Sequence, residues 1–271
     1  MNDHLAKFKA GVHLLWSQGL KEDARKFEEE AKAKGLKGVG SCNTEEWLDK
    51  FLTCDSDMLK LKDEVRVLSQ INDPVLIRGE TGTGKELIAQ ALHGSRVGKF
   101  VAVNCPAVST DLMESEFFGH VKGAFTGAMA DKIGKFQYAF NGTLFIDEVG
   151  DMPPSMQSLL LRTLQEKTIC RVGANEEIVV NPRIICATNK PLEEMIKNGL
   201  FRLDLLHRLN TFELRTKPLR ERVDDILMLI QTFDKTKKFG GIVYEGCEPL
   251  KLEGNVRELL SLIRRWQILG R

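Results

Sequence analysis

The chain has almost no net charge: 39 Lys and Arg stand against 38 Asp and Glu, leaving +1 over 271 residues. Gripping nucleic acid through its phosphates needs an excess of positive charge. The average therefore points to a protein or small-molecule partner, with only a local basic patch left open. No CxxC pair or other metal-ligand spacing occurs among Cys42, Cys54, Cys105, Cys170, Cys186 and Cys247. Thiols set in apolar runs, as in Ile184–Ile185–Cys186–Ala187, read as small buried hydrophobes and fit a reducing cytosol. No apolar run is long enough to span a bilayer, and the polar N-terminus lacks a signal-type apolar core. The expectation is a cytoplasmic protein without a membrane partner. Internal repeats and low-complexity tracts are also missing. What is present, 42% apolar and 28% charged residues, is the balance of an ordinary globular protein with enough chain for a substantial core.

Three zones separate by texture. Residues 1–54 read as a helical segment of unassigned role: Leu14, Leu15, Trp16, Leu20 and Phe27 sit among lysines and glutamates. Lys21–Lys34 is a charge-rich, solvated stretch, broken by Gly35, Gly38 and Gly40, and a short helix follows around Glu45–Leu52. Residues 55–226 alternate short apolar runs with longer helical patterns. The candidate strands are Val75–Arg78, Phe100–Asn104, Thr143–Asp147 and Arg183–Ala187, each too short and apolar for a half-exposed strand. That alternation predicts an α/β domain with a mostly parallel sheet, whose ligands bind beyond the carboxyl ends of the strands. Residues 227–271 read as a small helical lid, with helices over Asp224–Gln231 and Asn255–Gln267 separated by Gly240 and Gly241.

The chemistry-bearing residues cluster at the predicted strand ends. Gly79-Glu80-Thr81-Gly82-Thr83-Gly84-Lys85 follows a strand and opens the helical run Glu86–Leu92, the context a Walker A loop requires. Glycines let backbone N–H groups curl around a phosphate, the helix N-terminus adds positive potential, and Lys85 supplies a point charge. Glu86 stands where a magnesium-ligating Ser or Thr is usual. It can help position the metal or merely complement the helix N-terminus. Thr143–Asp147 followed by Glu148 has the form of a Walker B: Asp147 orients Mg²⁺ and Glu148 activates the attacking water. Asn189 closes a strand and can sense a γ-phosphate, and Asn104 ends another and can restrain Glu148. Either asparagine can instead cap a helix. Arg202 and Arg208 are candidate arginine fingers, but six positions on one helix is about 240° of rotation. The segment must then begin as a turn, or one of the two is structural. Arg257 can reach the same phosphates from the lid.

Gly123-Ala124-Phe125-Thr126-Gly127-Ala128, preceded by Glu114-Ser115-Glu116-Phe117-Phe118-Gly119-His120, carries a resemblance. With it residues 56–226 resemble the central AAA+ domain of bacterial enhancer-binding proteins, the sigma-54 activators. Further matches run in order through Gly79–Glu86, Gly142–Asp151, Arg171–Gly173, Phe201–Asn210, Pro218–Arg222 and Gly254–Leu259. The resemblance implies an AAA+ P-loop NTPase of three-layer αβα form with a helical lid, binding ATP and Mg²⁺ and adding Gly142 to the nucleotide contacts. It implies a hexameric ring with Arg202 and Arg208 facing the neighbour's nucleotide. It also implies sigma-54 and RNA polymerase as partners, contacted through residues 123–128 with Phe125 as an exposed anchor. A tight turn with a buried Phe125 is the plain alternative. Departures from the family pattern are a lid that looks short between Arg222 and Gly254, and Leu252-Glu253 where Trp-Pro is expected. No receiver or helix-turn-helix DNA-binding domain is evident. A non-catalytic sigma-54 or activator-binding decoy, or an AAA+ remodeller of another protein, are the competing readings.

Overall fold

The computed structural model describes residues 43–96, 98–234 and 252–269. The expectations for residues 1–42, for Gly240 and Gly241, and for Cys42 and Cys247 lie outside the described residues. The helices are α1 (Asn43–Lys50), α2 (Ser56–Leu68), α3 (Lys85–His93), α4 (Thr110–Phe118), α5 (Lys135–Tyr138), α6 (Pro154–Glu166), α7 (Leu192–Lys197), α8 (Leu203–Leu209), α9 (Val223–Phe233) and α10 (Asn255–Leu269). Interleaved with them are the strands β1 (Val75–Arg78), β2 (Phe100–Asn104), β3 (Gly119–His120), β4 (Lys132–Ile133) and β5 (Thr143–Asp147). The remaining strands are β6 (Thr168–Cys170), β7 (Glu177–Val179), β8 (Arg183–Thr188) and β9 (Phe212–Arg215).

The main sheet runs β2-β5-β8-β1-β9 with every pairing parallel. Alternate residues of its strands feed two separate cores. Leu76, Leu144, Ile146, Ile184 and Cys186 face one side with α4, α6 and α8. Val75, Ile77, Phe145, Ile185 and Ala187 face the other with α1, α2 and α3. A strand apolar on both faces needs a layer on each, and this gives the αβα sandwich expected from the unbroken hydrophobic runs. β2 departs from that expectation. It is an edge strand whose Val101 and Val103 are buried while Ala102 and Asn104 are exposed, so it is half-exposed after all. β9 was not legible as a strand, because its pattern is mixed and only Leu214 is fully buried.

Both predicted domain boundaries shift. Leu48 and Phe51 belong to the same core as Val65 and Ile88, so the segment before residue 55 is part of the α/β body from α1 onward. The boundary at 226/227 falls inside α9, whose Ile226, Leu229 and Ile230 pack with Leu219, Leu252, Leu259 and Ile263 in a third core. The lid therefore begins near Leu219. Leu252, one of the departures from the family pattern, is a buried member of that core.

Cysteine burial splits. Cys105 and Cys186 are buried as expected, and burial pushes the Cys105 thiol up to about 12. Cys54 and Cys170 are exposed, because one lies in the link between α1 and α2 and the other faces outward from the two-stranded β6–β7 sheet. No described helix is long and apolar enough to cross a membrane.

Candidate functional site

β1 ends between two strands whose own ends pin the glycine loop. Gly79 N–H donates to the Thr188 carbonyl of β8 at 3.2 Å, and Thr216, just past β9, donates its N–H to the Arg78 carbonyl at 2.9 Å. A side chain at Gly79 would collide with Thr216 Oγ1 at 1.9 Å. Gly82 (φ +79°) and Gly84 (φ +101°) adopt left-handed backbone, which glycine takes without steric cost. The buried Thr83 hydroxyl donates to the Glu80 carbonyl at 2.8 Å and lies 2.7 Å from Thr216 Oγ1. Lys85, buried as the first residue of α3, turns its Nζ back into the loop. There it donates to the carbonyls of Gly79 (2.9 Å) and Glu80 (3.2 Å) and lies 3.4 Å from Glu148 Oε1. An ammonium so placed, beside loop amides at a helix N-terminus, suits a polyphosphate.

The acidic pair arrives from β5. Burial raises the Asp147 pKa, against the pull of Lys85 and Arg257; Glu86 raises it further. Glu148 sits at φ +51°, ψ +52°, a left-handed backbone that costs a non-glycine residue about 1–2 kcal/mol. That strain turns its carboxylate toward the loop, where the Asn189 N–H holds Oε2 at 3.0 Å. The Asn189 amide itself donates to Thr81 Oγ1 at 3.1 Å. Asn104 corrects an expectation: its Nδ2 lies 3.2 Å from Asp147 Oδ2, so it restrains the first acid and not Glu148. Register explains this, because Asn104 and Asp147 are directly paired across β2 and β5.

Mg²⁺ takes one or two carboxylates and keeps waters and phosphate oxygens as its other ligands. Asp147 beside the Asn104 amide fits that demand. No group of three or more His, Cys, Asp or Glu able to hold a metal ion exists among the described residues, so waters and phosphate oxygens would complete the coordination. Glu86 is exposed on the first turn of α3, where its charge complements the helix N-terminus.

Other expected residues separate from this cluster. Gly142 lies at the start of β5, the end of the sheet opposite the loop, and an added Cβ there would meet the Lys99 backbone oxygen at 2.1 Å. It is a packing glycine, and its assignment as a nucleotide contact does not hold. Arg202 precedes α8 in extended backbone and pairs with Asp204 at 2.7 Å. Arg208, in the last turn, lies 3.5 Å from the Leu164 carbonyl. The two arginines thus do not share one helix, since Arg202 stands in extended backbone ahead of α8 and Arg208 within it. Neither arginine bonds to Lys85, Asp147 or Glu148 of its own chain. Arg257 stands closer, with its Cβ 3.2 Å from where a Gly82 side chain would begin. His207 is exposed, in keeping with an ordinary surface role.

The loop of residues 123–128 crowns a small hairpin, β3 against β4, held by Gly123 N–H to the Ala128 carbonyl (2.9 Å) and Ala128 N–H to the Phe125 carbonyl (3.0 Å). Gly123 and Gly127 are left-handed, with nothing within 4 Å of an added Cβ, so their surroundings are open. Phe125 is 36% exposed and leans edge-on against the His120 ring, 5.0 Å between centroids. The buried-turn alternative fails. Ala128 is 7% exposed and Ala124, half-buried, packs on Gly173, whereas Gly123, Phe125, Thr126 and Gly127 are exposed. Met129, unremarked in the sequence, is 84% exposed just past the loop, its N–H donating to the Gly127 carbonyl at 2.9 Å. Its only signal was an apolar residue in a loop with no periodic partner. Asn255 was missed as well: fully buried at the base of α10, it bonds to the glycine loop.

Comparison with known proteins agrees with this arrangement. The Sigma-54 interaction domain family matches residues 51–215. The response regulator protein PilR of Pseudomonas aeruginosa is 46% identical over 220 residues, covering 77% of this chain and 49% of PilR. The anaerobic nitric oxide reductase transcription regulator NorR of Shigella sonnei is 43% identical over 226 residues, covering 79% of this chain and 45% of NorR. A crystal structure of NtrX from Brucella abortus in complex with ATP superposes with a TM-score of 0.71 at 30% identity, covering 94% of this chain and 59% of that one. The chain spans about half the length of the curated relatives it matches. With its parallel sheet, glycine loop and helical lid, it is an AAA+ fold, and the chain belongs to the Sigma-54 interaction domain family.

Proposed function

We propose that the chain is the ATP-hydrolysing core of a sigma-54-dependent transcription activator, remodelling the closed complex of RNA polymerase and sigma-54. One observation carries this reading. The glycine loop, Lys85, Asp147, Glu148 and Asn189 converge at one end of β1, β5 and β8, while the same chain raises an exposed Phe125 on a separate hairpin. Loop amides and Lys85 bind the phosphates, and a phosphate oxygen competes with Glu148 for the Lys85 ammonium. Glu148, fixed through Oε2 by the Asn189 N–H, orients water and accepts its proton. Asp147, steadied by Asn104, holds Mg²⁺, which when bound offsets the charge of the β- and γ-phosphates. Asn189 links Thr81 to Glu148 and so registers the γ-phosphate. Arg202 and Arg208, both exposed and making no bond to Lys85, Asp147 or Glu148 of their own chain, act on the nucleotide of a neighbouring subunit in a hexameric ring. The hairpin presents Phe125, together with the exposed Thr126 and Met129, to sigma-54.

The test is ATP turnover across protein concentration, with and without sigma-54. Turnover per subunit is expected to rise with concentration. Lys85→Ala should lose nucleotide binding, and Glu148→Gln should bind ATP without hydrolysing it. Phe125→Ala should hydrolyse ATP yet fail to retain sigma-54. Equal turnover in wild type and Glu148→Gln would defeat the catalytic assignment. Retention of sigma-54 by a wild-type chain that never turns over ATP would favour a decoy.

A further inference from the structure

Outside the acidic pair, one buried side chain ties the glycine loop to the lid. Asn255 is 0% exposed and opens α10 with φ +53°, a backbone disfavoured for any residue carrying a Cβ. Its amide accounts for that geometry. Oδ1 accepts the Leu219 N–H at 2.6 Å. Nδ2 stands 3.0 Å from the Thr81 carbonyl, 3.1 Å from Glu80 Oε2 and 3.2 Å from the Glu253 carbonyl. A helix-capping role does not explain these contacts, because the Gly254 N–H at this helix start is taken by Glu258 Oε2 at 2.8 Å. The Asn255 side chain instead reaches across to the glycine loop and to the first residue of the lid core.

Parallel contacts reinforce it. Val256 N–H donates to the Gly82 carbonyl at 3.1 Å. Arg220 holds Glu80 through both carboxylate oxygens, at 2.6 and 2.7 Å. Gly82 admits no side chain here, since a Cβ would fall 2.2 Å from the Gly254 carbonyl. Glu80, Thr81 and Gly82, consecutive in the loop, are thus each bonded to the base of the lid. Any rotation of those peptides must carry α10 with it or break several of these hydrogen bonds at once.

We propose that Asn255 is a positioning residue that transmits the conformation of the glycine loop to α10, and so sets where Arg257, two residues further on, stands over the nucleotide. The proposal rests on the nucleotide-binding reading above. Chemistry stays with Lys85, Asp147 and Glu148; Asn255 governs how firmly the lid holds what the loop has bound.

Asn255→Asp provides the test. It keeps the acceptor for Leu219, removes both amide donors and sets a carboxylate against Glu80 and the Thr81 carbonyl. In the full chain, release of a fluorescent ADP analogue, followed by stopped flow, should accelerate about tenfold. The KM for ATP should rise by a similar factor while kcat stays within about twofold. An unchanged release rate in Asn255→Asp would overturn the proposal. So would a loss in which kcat, KM and Tm deteriorate together. Because release is read without turnover, a wild-type chain that binds nucleotide but does not hydrolyse it would refute the hydrolytic reading alone. The release comparison would still decide the role of Asn255.

Discussion

Asp225 shows how much one buried carboxylate can organise. It accepts from Thr53 Oγ1 and the Cys54 N–H, both at 2.6 Å, from the Asp55 N–H at 3.2 Å, and from Arg222 at 3.0 Å. It thereby stitches the link between α1 and α2 to the lid helix α9. Burial pushes its pKa up, but the bonds from Thr53 and Cys54 and the charge of Arg222 outweigh it, leaving the pKa below the usual aspartate value. A depressed folded pKa adds stability above the unfolded value, about 4, and that stability disappears as pH falls through the folded value. Asp225→Asn should therefore cost about 3 kcal/mol at neutral pH, since it leaves Arg222 buried without its counter-charge. In urea melts the gap from wild type should close below about pH 4. A gap independent of pH would assign the loss to packing. Glu148 and Asn255 carry the same lesson: each is a left-handed non-glycine residue, and each is held there by contacts that only the folded chain supplies.

Among the elements, the far end of the sheet is built for stability and the near end for chemistry. Arg183 opens β8 buried, donating to the carbonyls of Leu92 (2.5 Å) and Leu68 (2.8 Å) at the C-termini of α3 and α2. Arg96 works beside it on the carbonyls of Ser69, Ile71, Leu92 and His93. Two guanidinium groups here complement two negative helix ends. Burial pulls the Arg183 pKa down to about 9, which still leaves it charged at neutral pH. Arg183→Met should lower the urea midpoint by the equivalent of about 1–3 kcal/mol, the cost of leaving buried carbonyls unpaired. The nucleotide affinity of the folded fraction should stay unaltered. An altered affinity would mean that the two ends of the sheet are coupled.

For the whole molecule, the decisive question is whether the arginines of one copy serve the nucleotide of another. Arg208→Ala and Glu148→Gln are each expected to be inactive alone. Mixed in equal amounts, roughly a quarter of subunit interfaces in a closed ring would pair an intact Glu148 with an intact neighbouring arginine. Turnover should then reappear on mixing. Continued silence would place both residues in one subunit's site and remove the case for a ring.

The glycine loop, the acidic pair and the four inner and edge strands were readable from the chain because each rests on local pattern. These are hydrophobic runs, glycines at a strand-to-helix junction and acids at a strand end. The exposed aromatic loop was legible through the family resemblance carried by residues 114–128, and the structure decided it against a buried turn. Folding alone decided what depends on register and on contacts distant in sequence. Pairing of β2 with β5 gave Asn104 to Asp147 and not to Glu148. Packing buried Ala128 while leaving Phe125 exposed, and the length of β5 carried Gly142 away from the glycine loop. Asn255 gained its role only because residues 175 positions apart meet at Glu80. Local pattern states what a segment can become, whereas hydrogen bonds between remote segments exist only once the cores that bring them together have packed.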